Sequence, residues 1–350
     1  MKGKLNIIFV AEQRGGFDAL LPVIKKIQHD KMWKAYLFLD NKNIYGFAKQ
    51  QRIECSLLID ASLKKIEGII KKIHPDIIVT DTNDTDFDGS MDKKFLKTAR
   101  EFNTPTINIV DSWVNYVGRF GARLQHLPNA ILAIDQKMKD DLTAMGIPEN
   151  MIEVTGSPRF DAFSNSKKIK EKRNTAVFYS QPFFGKKFKE VQVFKDMVDV
   201  IEKTYPSKKI IIKFHPTREE NKKDRKKYDA IIKNSTLKIK KARKDVKAED
   251  LTKKARLVMG INSIALVDAA LMGKKVISYQ PGMHKKSDGL MSNANGWSLP
   301  VYSKEKLSFA LQDIFKKTLV PKSELEKYTK NNSTGKVIEF IHKTLQSKNI

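Results

Sequence analysis

The residues with the clearest chemical purpose form the run Ile210-Ile211-Ile212-Lys213-Phe214-His215-Pro216. An apolar, β-branched stretch ending in His-Pro predicts a buried strand with the imidazole at its carboxyl end. In open α/β sheets that edge is where ligands sit. A histidine there can donate a hydrogen bond to a phosphate oxygen, while Pro216 stiffens the turn. The competing assignment is a histidine that only caps a helix or bonds a loop carbonyl. Further on, Gly260-Ile261-Asn262-Ser263 precedes an apolar run closed by Gly273. This predicts a strand ending at Gly260 and a helix capped by Asn262 or Ser263. Free N–H groups and about half a positive charge make such a helix start a phosphate seat. The Ser263 hydroxyl adds a donor, and Asp268, deeper in the helix, is placed to reach a ribose or base. Plain capping would use the same residues without a ligand. Ser180 and Gln181 close another apolar run and should line the same edge.

The first half carries weaker candidates. Ala11-Glu12-Gln13-Arg14-Gly15-Gly16 joins a strand to a helix, and its glycine pair lets a ligand approach the backbone. A tight turn explains it equally well. Asp81 follows the strand Asp76–Thr80 and opens an acidic loop running to Asp88, and Asp111 follows the strand Thr106–Val110. Glu12, Asp81 and Asp111 are therefore the candidate general bases. Carboxylates in the acidic loop could also bind a divalent ion, but no residue is assigned to a metal. Trp113, Tyr116, Arg119 and Phe120 suit sugar stacking and anion pairing, or else packing beneath a loop. His74 and His126 have no metal-ligand spacing and read as structural.

Strands must hold these residues. Leu5–Val10, Ala35–Leu39, Asp76–Thr80, Thr106–Val110 and Ala130–Ala133 alternate with helical stretches at Ala19–His29, Leu63–His74 and Lys93–Phe102. In the second half Ala176–Ser180, Lys209–Phe214, Leu257–Gly260 and Lys275–Tyr279 alternate with Val191–Thr204, Arg225–Ile232, Ala248–Lys254 and Ser263–Met272. The alternation predicts an α/β protein of two Rossmann-like domains with parallel sheets. Their limits are 1–155 and 175–350, with 156–174 as hinge and lysine-rich linker. The final helical stretch, Gly335–Ser347, either caps the second domain or crosses back to the first.

Composition limits the class. At 350 residues, with 41% hydrophobic and 30% charged, the chain can bury two cores and is not a disordered polymer. No apolar run is long enough to span a bilayer, and the start has no signal-peptide pattern. The single Cys55 excludes an intrachain disulfide and a cysteine-rich metal site. The expected location is the cytoplasm, with the inner membrane face as a second place. The net charge of +26 fits an anionic partner, or a lysine-rich chain whose charges lie on solvated faces. No zinc-finger or RNP-type motif accompanies it, which argues against nucleic acid.

The His-Pro after an apolar strand, followed by the Ser-capped helix ending Ala270-Leu271-Met272-Gly273-Lys274-Lys275-Val276, resembles the donor domain of glycosyltransferases of the B fold (GT-B). Bacterial sialyl- and polysialyltransferases and CDP-glycerol glycerophosphotransferases share these two motifs. Asp88-Gly89 loosely resembles the acidic-Gly element of sialyltransferases, and Gly156-Ser157-Pro158-Arg159-Phe160-Asp161 looks like the hinge of such enzymes. The resemblance implies a CMP-, CDP- or UDP-linked donor whose phosphates meet His215 and Ser263. It implies transfer to a glycan or lipid-linked acceptor in surface polysaccharide synthesis, with no cofactor or bound metal. The alternatives are a UDP-N-acetylglucosamine 2-epimerase-like enzyme and a non-catalytic binder of anionic ligands.

Overall fold

Two parallel sheets form where the apolar runs fall, in a computed structural model that describes residues 4–164, 174–181, 189–215 and 225–346. The chain divides into unit 1, Met1–Ala162 with Lys330–Ile350, and unit 2, Phe163–Thr329. Pro216, residues 217–220 and residues 165–173 of the expected hinge and linker lie outside the described residues.

Unit 1 holds β1 (Leu5–Ala11), β2 (Trp33–Leu39), β3 (Ser56–Leu57), β4 (Ile77–Thr80), β5 (Thr106–Ile109), β6 (Ala130–Ala133) and β7 (Ile152–Val154). Their spatial order is β3-β2-β1-β4-β5-β6-β7, parallel throughout. Side chains alternate along β1, so each face of the sheet needs its own cover. Ile7 and Phe9 join a core with the helix Arg14–Gln28, whereas Ile8 and Val10 pack on the helices Leu63–Ile73 and Met91–Glu101. Val337, Ile341 and Leu345 of the last helix, Ser333–Gln346, belong to the first of these cores.

That last helix is tied to the expected hinge. Asp161 accepts hydrogen bonds from the Ser333 and Thr334 N–H groups (3.0 and 2.7 Å), and Asn331 Nδ2 donates to the Thr155 carbonyl (3.1 Å). Gly156 lies between them at φ +85°, where a Cβ would stand 2.3 Å from Ser333 Oγ. Only glycine combines that φ with that approach.

Unit 2 holds β8 (Thr175–Tyr179), β9 (Lys209–Lys213), β10 (Lys238–Lys241), β11 (Leu257–Gly260), β12 (Lys275–Tyr279) and β13 (Leu299–Val301). The order is β10-β9-β8-β11-β12-β13, again parallel throughout. Both sheets thus have the expected α/β architecture.

Four strands escape the sequence pattern: β3, β7, β10 and β13. β10 reads Lys-Ile-Lys-Lys, too poor in apolar residues to register among the expected strands. It lies at the sheet edge, where one partner suffices and lysines discourage further pairing. The helix expected at Arg225–Ile232 is observed as Asp229–Asn234.

Candidate functional site

Each sheet has a switch point, where the chain order reverses between neighbouring strands, and ligand crevices of open α/β sheets open there. In unit 2 the switch lies between β8 and β11. Tyr179 of β8 pairs with Lys213 of β9, and Phe178 pairs with Met259 of β11. Carried two residues past Tyr179 and Lys213, and three past Phe178 and Met259, this register puts Gln181, His215 and Asn262 at one level across three adjacent strand ends. With neighbouring strands ~4.8 Å apart, the β9 and β11 ends stand roughly 10 Å from each other.

Hydrogen bonds agree with this. The Asn262 N–H donates to Gln181 Oε1 (3.2 Å), and the Ser180 N–H donates to the Lys213 carbonyl (3.0 Å). Ser263 caps the helix Ile264–Leu271, its Oγ accepting from Ala265 N (3.3 Å). The Ser180 hydroxyl bonds the buried Tyr228 hydroxyl (2.8 Å) and so faces inward. Asp268 lies close enough to Tyr179 for its charge to help raise that phenol, after burial, the larger cause. His215, Gln181, Asn262 and Ser263 gather at the carboxyl edge, while Ser180 supports it from within.

In unit 1 the switch lies between β1 and β4, and Glu12, Arg14, Gly15, Gly16, Asp81 and Asp111 sit around it. A Cβ on Gly15 would meet Asp111 Oδ2 at 2.2 Å, and one on Gly16 would meet Asp81 Oδ2 at 2.2 Å. The glycine pair is thus required by two carboxylates packed against the helix start. Asp81 Oδ2 accepts from the Glu12 and Gln13 N–H groups (3.0 and 3.4 Å). Arg14 turns outward, paired with Asp18 at 2.8 Å and with its guanidinium 3.6 Å from the Phe47 ring centre.

Glu12 caps a second helix. Its Oε1 accepts from Asp92 N (2.6 Å) in the first turn of Met91–Glu101, and its Oε2 accepts from Asn83 Nδ2 (2.9 Å). Glu12, Asp81 and Asp92 are all buried, with oxygens within 4.8 Å of one another, so they could hold a small oxygen-loving cation. Burial, and then the charges of Asp92 and Glu12, push the Asp81 carboxyl well above the usual range. Burial and Glu12 do the same to Asp92. Asp40 follows β2, level with Glu12 across the β1–β2 register, and is pushed up to about 7 by burial and by Glu12. All three shifts favour the protonated carboxyl, as expected where like charges are buried together.

Asp111 differs. It accepts from Arg119 Nη1 at 2.8 Å, and its side chain keeps 14% exposure against 1% for Asp81 and 4% for Glu12 as residues. Arg119 is consumed by this pair and by the carbonyls of Thr82 (2.8 Å) and Val114 (3.0 Å), so it is structural rather than a docking cation. Trp113 is buried, stacked on Phe160 at 6.2 Å with Nε1 bonded to Asp135, and is not a sugar platform. Asp40, Asn83 and Asp92 were not singled out in the sequence. Asp40 carries the one legible signal, a carboxylate at a strand end like Asp81.

The Alpha-2,8-polysialyltransferase (POLYST) family matches residues 116–280, a span that includes Gln181, His215, Asn262 and Ser263 but not Glu12, Asp81 or Asp111. Among solved structures, the UDP-GlcNAc 2-epimerase from Neisseria meningitidis is similar at TM-score 0.71 and 13% identity, covering 97% of this chain and 100% of that one. The Methanocaldococcus jannaschii UDP-GlcNAc 2-epimerase gives 0.71 and 17%, covering 97% and 99%. The glycotransferase of kitacinnamycin gives 0.68 and 11%, covering 98% and 99%. The chain resembles the GT-B glycosyltransferase superfamily. At these identities the solved structures speak for the fold, and the polysialyltransferase match supports a glycosyltransferase. No curated protein matches the sequence. Among the described residues, no helix of this GT-B-like chain is long and apolar enough to cross a membrane.

Proposed function

We propose that this enzyme transfers a sugar or related group from a nucleotide-activated donor to a glycan or lipid-linked acceptor. The observation that carries the reading is the shared level of His215, Gln181 and Asn262 beside the capped helix start in unit 2. Diphosphate oxygens placed there would meet an imidazole, the hydroxyl of Ser263 and free N–H groups of the helix Ile264–Leu271. These groups would stabilise the charge that develops on the leaving nucleotide, a task that requires no bound metal.

Asp111 is assigned as the base that takes the acceptor's proton. It is the most exposed of Glu12, Asp81 and Asp111. Asp81 is assigned a supporting role, because its carboxyl is buried and already accepts from the Glu12 and Gln13 N–H groups, out of an acceptor's reach.

The test is calorimetric titration of CMP, CDP and UDP into the parent and into His215→Ala. The substitution should weaken the best-bound nucleotide about tenfold or more, as expected for loss of a hydrogen bond to a charged phosphate. Equal affinity in both would remove His215 from the donor site. The full-length likeness to 2-epimerases favours one second reading, epimerisation of a nucleotide sugar. Incubating nucleotide sugar without acceptor separates the two, since only an epimerase forms the epimer.

A further inference from the structure

A second concavity in unit 1 is independent of the reading above. It has a volume of about 330 Å³ and lies between the helix Met91–Glu101 and the loop carrying Gln125 and His126. Lys93, Lys97 and Arg100 line it from one helical face, as their spacing of four and three residues requires. Lys93 is 2% exposed, with Nζ held by the carbonyls of Gly118 (2.7 Å) and Thr85. Arg100 donates to the carbonyls of Gln125 (3.4 Å) and Leu127, which fixes the loop against the helix. The rings of Phe87 and His126 stack at 5.6 Å and 15°, and Lys97 Nζ stands 5.7 Å from the Phe87 ring centre.

No carboxylate lines this concavity, and none of the three cations forms an ion pair among the described residues. Elsewhere on this chain, helix lysines commonly face an acid one turn away, as in Lys71–Glu67 and Lys137–Asp141. Three like charges lining one concavity without an acid make its potential positive, and an anion bound there would be held by all three. A dianion offsets a triple charge better than a monoanion does, and the planar guanidinium and compact ammonium groups both suit phosphate oxygens.

We propose that this concavity binds a phosphate monoester group, with Lys97 and the Arg100 N–H groups not spent on the Gln125 and Leu127 carbonyls contacting the oxygens and Lys93 supplying field from behind. His126 then reports occupancy. Burial and the charges of Lys93 and Arg100 hold its imidazole below the ordinary histidine range, and a bound dianion would move it back up.

The experiment is an NMR titration of the full chain with inorganic phosphate, at constant ionic strength maintained with chloride. The His126 signal is assigned by its loss in His126→Gln. Saturable movement of that signal, with a raised His126 pKa, is the expected result. Lys97→Glu, a change at an exposed position, should weaken the response by on the order of tenfold or more. Lys97→Gln serves as the milder variant, and both keep His215, so phosphate bound in unit 2 cannot account for a loss at His126. Equal movement with chloride alone, or unchanged affinity in both Lys97 variants, would overturn the proposal. Glycerol 3-phosphate and phosphatidic acid in phosphatidylcholine vesicles distinguish the source. Tighter binding of the free ester assigns a soluble ligand, tighter binding of vesicles a lipid headgroup, and response to neither rejects the site.

Discussion

Arg119→Gln should be among the most damaging single changes in unit 1. The guanidinium is 7% exposed and donates to Asp111 Oδ1 (2.8 Å), Ser112 Oγ (2.9 Å), and the carbonyls of Thr82 (2.8 Å) and Val114 (3.0 Å). Glutamine is shorter and cannot reach this set, so Asp111 and two carbonyls lose their donor. Removing one partner of a buried ion pair costs about 3–5 kcal/mol. Asp111 keeps 14% exposure, so water can reach part of the carboxylate and the lower end of that range applies. A loss of ~3 kcal/mol lowers the melting temperature of a unit this size by about 6–12 °C. Urea unfolding followed through Trp33 and Trp113, both in unit 1, provides the measurement. In a double-mutant cycle, Asp111→Ala with Arg119→Gln should cost clearly less than the sum of the single changes. The reasoning fails if Arg119→Gln lies within about 1 kcal/mol of the parent, or if the cycle is additive.

Three further outcomes follow from the same geometry. Gly16→Ala should destabilise by ~1–3 kcal/mol, because the new methyl would overlap Asp81. Gly68→Ala, in the helix Leu63–Ile73 with open space around it, should stabilise by ~0.4–1 kcal/mol, and paired melts of the two variants test the contrast. The raised carboxyls of Asp81, Asp92 and Asp40 make the folded chain bind more protons than the unfolded one. Their contribution is full below the unfolded value of 3.8 and is lost as pH rises, for Asp40 through about 7. Asp40→Asn should flatten the stability profile between those limits, and a profile identical to the parent's would exclude the shift. Asp161→Ala removes a cap from the last helix and should cost ~1 kcal/mol, read as faster hydrogen exchange in Ser333–Gln346.

The sequence by itself determined the two parallel sheets and the phosphate-seat candidate in unit 2. Both rest on local signals: β-branched runs of strand length, and polar or capping residues at their ends. Because all strands of a sheet run parallel, the strand ends predicted from sequence in unit 2 fall on one edge, which puts His215 and Asn262 on the same edge; the order β9-β8-β11 that sets them two strands apart was decided by the tertiary structure. The tertiary structure decided what each carboxylate of unit 1 does. Glu12, Asp81 and Asp92 come from three separate places in the chain, and their proton affinities depend on burial and mutual distance, which no local pattern encodes. The same holds for Arg119, whose partners include Thr82 and Asp111, and for β10, whose lysines are tolerable only at an edge. Asp161 shows the same division: its place in a turn is legible, whereas its grip on a helix start at Ser333 depends on how the chain's end returns to unit 1.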